Sequence, residues 1–249
     1  MRIVLCLILL HILYVSSQQQ VKPNLFAEVF KLRCNQLSIE NNFLPVNCTH
    51  MWNLFEEALL SAHKQSECVM KPELYAKFVK YAFSVQPKIT EQYFHSQVID
   101  VVRGMCKNLR ECYTLERTYA GFILDDMNWC NTSLTGDLHY GTICGCNSKS
   151  RVIGAYWDAA SEEYAKSASG HVYVILNGSF ELPFNENKTF SRVELPLLKY
   201  PQVHNLTVKL VHSLQQTGYY HTCKSFNILE LARKVISQNI GFECIEDPA

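Results

Sequence analysis

The amino-acid sequence predicts an α+β fold in which an N-terminal helical bundle packs on a smaller α/β domain with a parallel sheet of about four strands. Apolar residues recur three and four positions apart through residues 24–83 and 150–168, as they do in amphipathic helices. The last third of the chain carries short β-branched runs separated by a helix-like stretch, which is typical of parallel strands joined by crossovers. With 48% hydrophobic and 18% charged residues, the 249-residue chain can bury a sizeable core.

The first 17 residues have the composition of a secretory signal peptide. One arginine precedes a short apolar run at residues 3–15, and small residues follow it. A membrane anchor is the alternative, but the run is shorter than the roughly 20 apolar residues that a spanning helix needs. We therefore expect cleavage near residues 16–18.

The helical domain is predicted to comprise residues 18–88 and 114–168. Its first part contains three segments with helical spacing, LFAEVFKLR, HMWNLFEEALLSA and ELYAKFVKYAF, and Pro87 marks a break after them. In the second part, Val152, Tyr156 and similar residues recur on one side of a helix.

The α/β domain is predicted to comprise residues 89–113 and 169–249. β-Branched, apolar runs that end at turn residues predict its strands. The elements that this pattern places are strands at 171–179, 206–214 and 240–246, with a helix at 226–238 between the last two.

Cysteines and glycosylation sequons indicate an extracellular protein. Without Cys6 of the signal peptide, eleven cysteines become ten, and an even count in a secreted chain predicts disulfides. The pair Cys144 and Cys146 also suggests a metal or redox site, but a second such pair at ligand spacing is missing, so we expect no metal. Asn-x-Ser/Thr sequons, which accept glycans in secreted proteins, occur at Asn47, Asn131, Asn177, Asn187 and Asn205.

Charge and motifs exclude several classes of protein. The chain has 23 basic and 23 acidic residues, so it lacks the basic surplus typical of nucleic-acid binders. It contains no Gly-x-Gly-x-x-Gly or Walker loop for a nucleotide, no Gly-x-Ser-x-Gly elbow and no His-Glu-x-x-His helix. A nucleotide would therefore have to be held in another way.

Three segments, taken together, resemble the ADP-ribosyl cyclase family, whose members split NAD at the bond between nicotinamide and ribose. They are TLE at 114–116 followed by DDMNWC at 125–130, WDAAS at 157–161, and NKTFSRVE at 187–194. The resemblance extends from about Cys34 to Cys244. Within the family, the stretches EQYFHSQV, RGMC, PFNENKTF and ELPLLK are most similar to members from parasitic flatworms.

The resemblance implies an active site in the cleft between the two domains, and it implies disulfide pairs. The family pattern maps onto four pairs, and Cys106 and Cys112 remain to close a local loop. The four pairs are Cys34–Cys48, Cys68–Cys146, Cys130–Cys144 and Cys223–Cys244.

Glu194 matches the family's catalytic glutamate. Nicotinamide leaves NAD as a neutral base, so the reaction does not need the general acid of ordinary glycosidases. It needs a negative charge near the cationic ribose that remains, and one carboxylate can supply that charge. The alternative for Glu194 is an ordinary exposed residue at the end of a loop.

Other residues resemble the family's substrate-binding positions. Glu116 and Asp125 match a pair that contacts the nicotinamide carboxamide. The alternative for Glu116 is a residue at a solvated helix end, and the alternative for Asp125 is a helix cap. Trp157 matches a tryptophan that stacks on the substrate, and its alternative is an aromatic residue of the core. Ser161 lies one helical turn further on, on the same face of the helix. Ser96, Thr189 and Phe190 match positions that contact diphosphate or ribose, with ordinary loop polarity as the alternative.

The chain also departs from the family pattern. His95 stands where many members have a second tryptophan, and it could be a general base or a packing residue. Gln97, Arg117 and Ser191 replace an arginine, an acidic residue and a glycine. Because one tryptophan and a histidine should fold NAD for cyclisation less well than two tryptophans, we expect ADP-ribose to be the main product.

The resemblance therefore implies an NAD glycohydrolase with minor cyclase and base-exchange activity, and the signal peptide, cysteines and sequons predict that it is extracellular, secreted or at the outer cell surface. NAD is its substrate, and no cofactor is expected. A non-catalytic receptor or adhesion ectodomain is the alternative, whereas the Arg…Ser-x-Ser…Glu-x-Glu pattern of protein ADP-ribosyltransferases is missing. Whether the protein forms a homodimer is left open. We expect a truncated C terminus at Ala249, so that membrane attachment by a lipid anchor rests on the resemblance alone.

Overall fold

The computed structural model confirms an α+β fold with a four-stranded parallel sheet. It describes residues 25–40, 46–64, 71–89, 91–96, 98–108, 112–129, 149–212 and 218–247. The helices are α1 (Leu25–Glu40), α2 (Cys48–Lys64), α3 (Ala76–Ser84), α4 (Ile99–Asn108), α5 (Tyr119–Leu124), α6 (Lys149–Lys166) and α7 (Phe226–Ser237). The strands are β1 (Gln92–Ser96), β2 (Gly170–Asn177), β3 (Val203–Val211) and β4 (Gly241–Glu246).

The N-terminal helices pack around an aromatic core. Phe55 of α2 lies at its centre, 5.6 Å from the Phe30 ring of α1 and 5.5 Å from the Phe78 ring of α3. On the other side Phe55 meets Trp129 and Tyr156 edge to face, and Tyr156 belongs to α6. Aromatic pairs of this kind add to the free energy of apolar burial. The core therefore fixes α6, which carries Trp157, against the first three helices.

The sheet has the strand order β1-β2-β3-β4, and every pair of neighbours is parallel. The sequence pattern predicted the existence of β2, β3 and β4, although β3 begins and ends three residues earlier than expected. It did not place β1, because the inner face of β1 carries the polar residues Gln92 and Ser96. The Gln92 amide is buried and donates to the Tyr164 carbonyl and the Ser167 hydroxyl, both at 3.0 Å. β1 is also buried on both faces, so its sequence does not show the alternation by which a half-buried strand is found.

One continuous cluster of buried apolar side chains joins the described helices to the inner face of the sheet. It includes Phe94 of β1, Val174 of β2 and Val208 of β3, together with the aromatic core of the helices. The domain boundaries deduced from the sequence stay a prediction. Among the described residues, no helix combines the length and the apolar composition needed to cross a membrane.

Two of the expected disulfides lie within the described residues. Cys34 of α1 is joined to Cys48 of α2, and Cys223 is joined to Cys244 of β4. Cys112 is also disulfide-bonded. The other expected pairs involve Cys68, Cys130, Cys144 and Cys146, which lie outside the described residues, as does the side chain of Cys106.

The sequons differ in accessibility. Asn47 and Asn187 are exposed, whereas Asn177 is only 8% exposed and accepts a hydrogen bond from the Ser179 N–H. Asn205 is half-buried, with its amide nitrogen 3.3 Å from the His171 ring. Asn131 lies outside the described residues. Because an attached glycan must extend into solvent, the folded chain offers room at Asn47 and Asn187.

We therefore expect glycans at Asn47 and Asn187 and none at Asn177 or Asn205 when the protein is secreted from eukaryotic cells. Mass spectrometry of peptides before and after enzymatic deglycosylation measures the occupancy of each sequon. Asn47→Gln and Asn187→Gln should each lower the mass of the protein by one glycan. Asn177→Gln is the control, and it should not remove the mass of a glycan. A glycan on Asn177 would contradict the burial of that side chain.

Candidate active site

A cleft lies beside the carboxyl end of β1, where ligands commonly bind in open α/β sheets. It consists of two adjoining cavities of about 230 and 430 Å³. His95, Glu116 and Trp157 line both cavities and therefore form the middle of the cleft. β1 supplies the histidine, the turn before α5 supplies the glutamate, and α6 supplies the tryptophan.

Glu194 lines the smaller cavity. It ends a π-helical turn, Phe190–Glu194, and such turns are often found at functional sites. Its side chain is only 6% exposed and accepts a hydrogen bond from the Ser161 hydroxyl of α6. An ion pair of 2.6 Å between Arg192 and Asp158 also joins the turn to α6.

Burial dominates the ionisation of Glu194. It raises the pKa of the carboxyl group to about 7, although the hydrogen bond from Ser161 and the charge of His95 favour the carboxylate. The nearby Glu116 and Asp158 raise this pKa further. Around neutral pH, Glu194 therefore changes between a neutral acid and a buried negative charge.

His95 and Glu116 form an ion pair in the middle of the cleft. The Nε2 atom of His95 lies 3.0 Å from Oε1 of Glu116, and less than a fifth of either side chain is exposed. Burial lowers the pKa of His95, but the hydrogen bond to Glu116 and the charges of Glu116 and Glu194 raise it overall. Burial raises the pKa of Glu116, and the contacts with His95 outweigh this effect, so that it is lowered overall.

The turn that carries Glu116 packs tightly on α5. The Thr118 hydroxyl donates to the Leu115 carbonyl at 2.7 Å and accepts from the Gly121 N–H at 3.0 Å. A Cβ atom at Gly121 would lie 1.9 Å from the Leu115 carbonyl oxygen, so only glycine fits there. The Oε2 atom of Glu116 is buried and has no hydrogen-bond partner within the described part of the chain. This oxygen is left to accept a hydrogen bond from a ligand.

Trp157 forms one wall of the cleft and is not a fully buried core residue. Its indole is half-buried, and it meets the Tyr156 ring edge to face with 5.4 Å between centroids. Tyr156 itself is fully buried in the aromatic core. The indole is therefore held from behind while one side borders both cavities, which suits stacking against a flat ring.

Asp125 lines the larger cavity beside Asp126, but an ion pair already engages its carboxylate. Oδ2 of Asp125 lies 2.7 Å from the Arg103 guanidinium of α4. Burial raises the pKa of Asp125, and the hydrogen bond from Arg103 opposes this rise only in part. The expected contact with a carboxamide would therefore use the second oxygen. No sequence pattern connects Arg103 to Asp125, because the two residues lie on separate elements that meet only in the folded chain.

The remaining residues singled out from the sequence also lie at the cleft. Ser96, Ser161, Thr189 and Phe190 line the smaller cavity with Glu194. Five further residues line the smaller cavity without having been predicted from the sequence, namely Tyr93, Phe94, Leu115, Tyr164 and Lys188. Four of them have the composition of ordinary core residues, whereas Lys188 carries a charge within the third family segment and could have been found there.

The Tyr164 hydroxyl of α6 binds the segment that lies beside β1. It donates to the Tyr113 carbonyl at 2.7 Å, and burial raises its pKa well above the usual value. Its ring lies 5.0 Å from the Phe94 ring. In the described parts of the chain, His, Cys, Asp and Glu side chains do not form groups of three or more that could hold a metal ion.

Comparison with known proteins identifies the family. The family model for ADP-ribosyl cyclase matches residues 23–249. The mouse ADP-ribosyl cyclase/cyclic ADP-ribose hydrolase 1 is 29% identical over 230 residues, which cover 89% of this chain and 73% of the relative. The rat protein of the same name is 30% identical over 200 residues, which cover 80% of this chain and 64% of the relative. The chain thus spans only part of these mammalian proteins.

Solved structures share the fold. Aplysia cyclase complexed with substrate NGD and product cGDPR has a TM-score of 0.73 at 24% identity, over 90% of this chain and 89% of that chain. Porcine CD38 with a covalent intermediate, ribo-F-ribose-5′-phosphate, has a TM-score of 0.71 at 26% identity, over 89% and 95% of the two chains. The protein is therefore a member of the ADP-ribosyl cyclase family of enzymes.

Proposed function

We propose that this chain is an NAD glycohydrolase that releases nicotinamide and ADP-ribose, with minor cyclase and base-exchange activity. The observation that carries the proposal is the position of Glu194, which is buried within a cleft that also holds Trp157 and Glu116. The relatives named for ADP-ribosyl cyclase and cyclic ADP-ribose hydrolase activity support the class of reaction.

Glu194 would act as the carboxylate near the ribose. When the bond between nicotinamide and C1′ breaks, its electron pair goes to the pyridinium nitrogen, so that nicotinamide leaves as a neutral base. The positive charge that develops on the ribose is stabilised by a carboxylate in a site with little water. Water then attacks C1′, and its proton passes to solvent. The covalent intermediate in porcine CD38 agrees with a sugar that is activated before the second step.

Glu116 and Trp157 would hold the nicotinamide. The free Oε2 of Glu116 can accept from the carboxamide N–H, and the indole can stack on the cationic pyridinium ring. Because nicotinamide leaves without protonation, the proposed reaction requires neither a metal nor a cofactor. Asp125 and Asp126 add negative charge at the same end of the cleft.

His95 supports hydrolysis as the main outcome. Cyclisation requires the adenine of NAD to fold back onto the ribose, and a second aromatic wall would favour that folding. At this position the chain has an imidazole that is bound to Glu116 instead. Water should therefore reach C1′ before adenine does.

We also propose that the enzyme acts outside the cell, since its disulfides are stable in oxidising compartments and its first residues have the composition of a signal peptide. Extracellular NAD would be its substrate. The stretches EQYFHSQV and PFNENKTF support a close relationship to flatworm members of the family. Attachment through a lipid anchor and a homodimer are further parts of this proposal that rest on the family resemblance.

Replacement of the proposed carboxylate tests the function directly. We expect Glu194→Gln to lower kcat for nicotinamide release from NAD by a factor of about 10²–10³ or more, since it removes the stabilising charge but keeps the shape. Glu57→Gln, which removes an exposed carboxylate of α2, should leave kcat unchanged. Equal rates for wild type and Glu194→Gln, or no activity in either, would favour a non-catalytic ectodomain.

The burial of Glu194 predicts a pH dependence. Its free-enzyme pKa of about 7 means that kcat/KM should fall about tenfold per pH unit as the pH drops below 7, because the carboxylate becomes neutral. Ser161→Ala removes a hydrogen bond that favours the carboxylate, so the midpoint should move to higher pH. Ser237→Ala, on the exposed end of α7, is the control. An unchanged midpoint in Ser161→Ala would contradict this coupling.

The role of His95 predicts a change in products. We expect His95→Trp to raise the share of cyclic ADP-ribose, because the second aromatic wall would help NAD to fold. Chromatography of the products formed from NAD measures that share. If purified wild-type protein already produced mainly cyclic ADP-ribose, the explanation based on His95 would be wrong.

A further inference from the structure

Arg33 of α1 binds the main chain at the end of α5. Its guanidinium group donates a hydrogen bond of 2.5 Å to the Asp125 carbonyl. It also lies 3.4 Å from the carbonyl oxygen of Ile123 and 3.5 Å from that of Phe122. The last carbonyls of a helix have no partner within the helix, and a nearby cation stabilises them. Arg33 is half-buried and does not belong to the described residues that line either cavity, so its contribution to the site is indirect.

α1 also holds the beginning of α5. The Ser38 hydroxyl lies 2.6 Å from the hydroxyl of Tyr119, which is the first residue of α5. α1 therefore contacts α5 at both ends, and the two helices run in opposite directions. Because a helix of six residues gains little stability from its own hydrogen bonds, tertiary contacts such as these determine its position.

The turn after α5 carries the carboxylates of Asp125 and Asp126 at the larger cavity. Asp126 has a φ of 58°, in the left-handed region that residues with a side chain rarely adopt, so contacts outside the turn must support it. Asp125 is held from two sides. Arg33 binds its main-chain carbonyl, and Arg103 of α4 binds Oδ2 of its carboxylate at 2.7 Å. The other carboxylate oxygen is the one that the proposed carboxamide contact would use.

We propose that Arg33 is a positioning residue, which holds the Asp125 carbonyl, places the Asp125 carboxylate at the larger cavity and thereby sets the affinity for nicotinamide. This inference rests on the proposed function and adds to it a residue outside the cleft. Arg33 contacts neither the substrate nor the reacting atoms. Its removal should therefore weaken the binding of nicotinamide but not that of ADP, which has no nicotinamide.

The test compares Arg33→Met with wild type. Methionine keeps much of the apolar length of the side chain but cannot donate to a carbonyl. We expect Kd for nicotinamide, measured by ligand-observed NMR, and KM for NAD to rise about 3- to 10-fold, the usual effect of one hydrogen bond. Kd for ADP, measured by calorimetry, should be unchanged. Lys31→Met removes a cation from the same helix and is the matched control, in which all three constants should stay at the wild-type values.

A double-mutant cycle separates positioning from a general loss of stability. If Arg33 acts through Asp125, Arg33→Met should raise Kd for nicotinamide in the wild-type background and leave it unchanged in Asp125→Asn. Arg33→Lys keeps the charge but not the planar fork, so it should give a smaller rise, and it provides the same comparison if Arg33→Met does not fold.

The outcomes distinguish this inference from the proposed function. A lower Tm of Arg33→Met with an unchanged Kd for nicotinamide would overturn the inference, and so would an equal rise of Kd in both backgrounds or no nicotinamide binding by wild type. If wild type binds nicotinamide with an affinity that depends on Arg33 but releases none from NAD, the proposed function fails and the positioning role stands.

Discussion

The removal of one carboxylate from water is the constraint on which the site depends. A buried carboxyl group prefers its neutral form, and only specific contacts keep its charge available near neutral pH. For Glu194 these contacts are the Ser161 hydroxyl and the positive field of His95. The first comes from α6 and the second from β1, so a helix and a strand from different parts of the chain must meet at the π-helical turn. The rest of the fold brings them there.

Ion pairs and packing preserve this meeting point. The Arg192–Asp158 pair joins the turn to α6, and the aromatic core around Phe55 holds α6 from behind. The Tyr164 hydroxyl connects α6 to the segment beside β1. Exposed ion pairs contribute little to the free energy of unfolding, so the Arg192–Asp158 pair matters more for orientation than for stability.

Periodicity and motifs predicted most of the fold and of the candidate site. Apolar spacing predicted α1, α2, α3, α6 and α7 and three strands, whereas α4, α5 and β1 were not predicted. β1 escaped because it is buried on both faces and because its Gln92 amide donates to tertiary partners that no local pattern reveals. The family segments identified Glu194, Glu116 and Trp157. They could not show that Arg103 engages Asp125 or that His95 pairs with Glu116, since these contacts join residues 22 and 21 positions apart through the folding of separate elements.

The residues of the site come from distant parts of the chain, and this determines at what stage of synthesis and folding the site is complete. Its parts lie on four separate segments of the chain. These are β1, the turn before α5, α6 and the turn that ends at Glu194. The described residues that line the larger cavity all lie between positions 95 and 157, so it does not include the turn that ends at Glu194. The chemistry proposed here would arise only after the third family segment has joined the earlier ones, so a chain that is still folding would leave the dinucleotides of its own compartment intact.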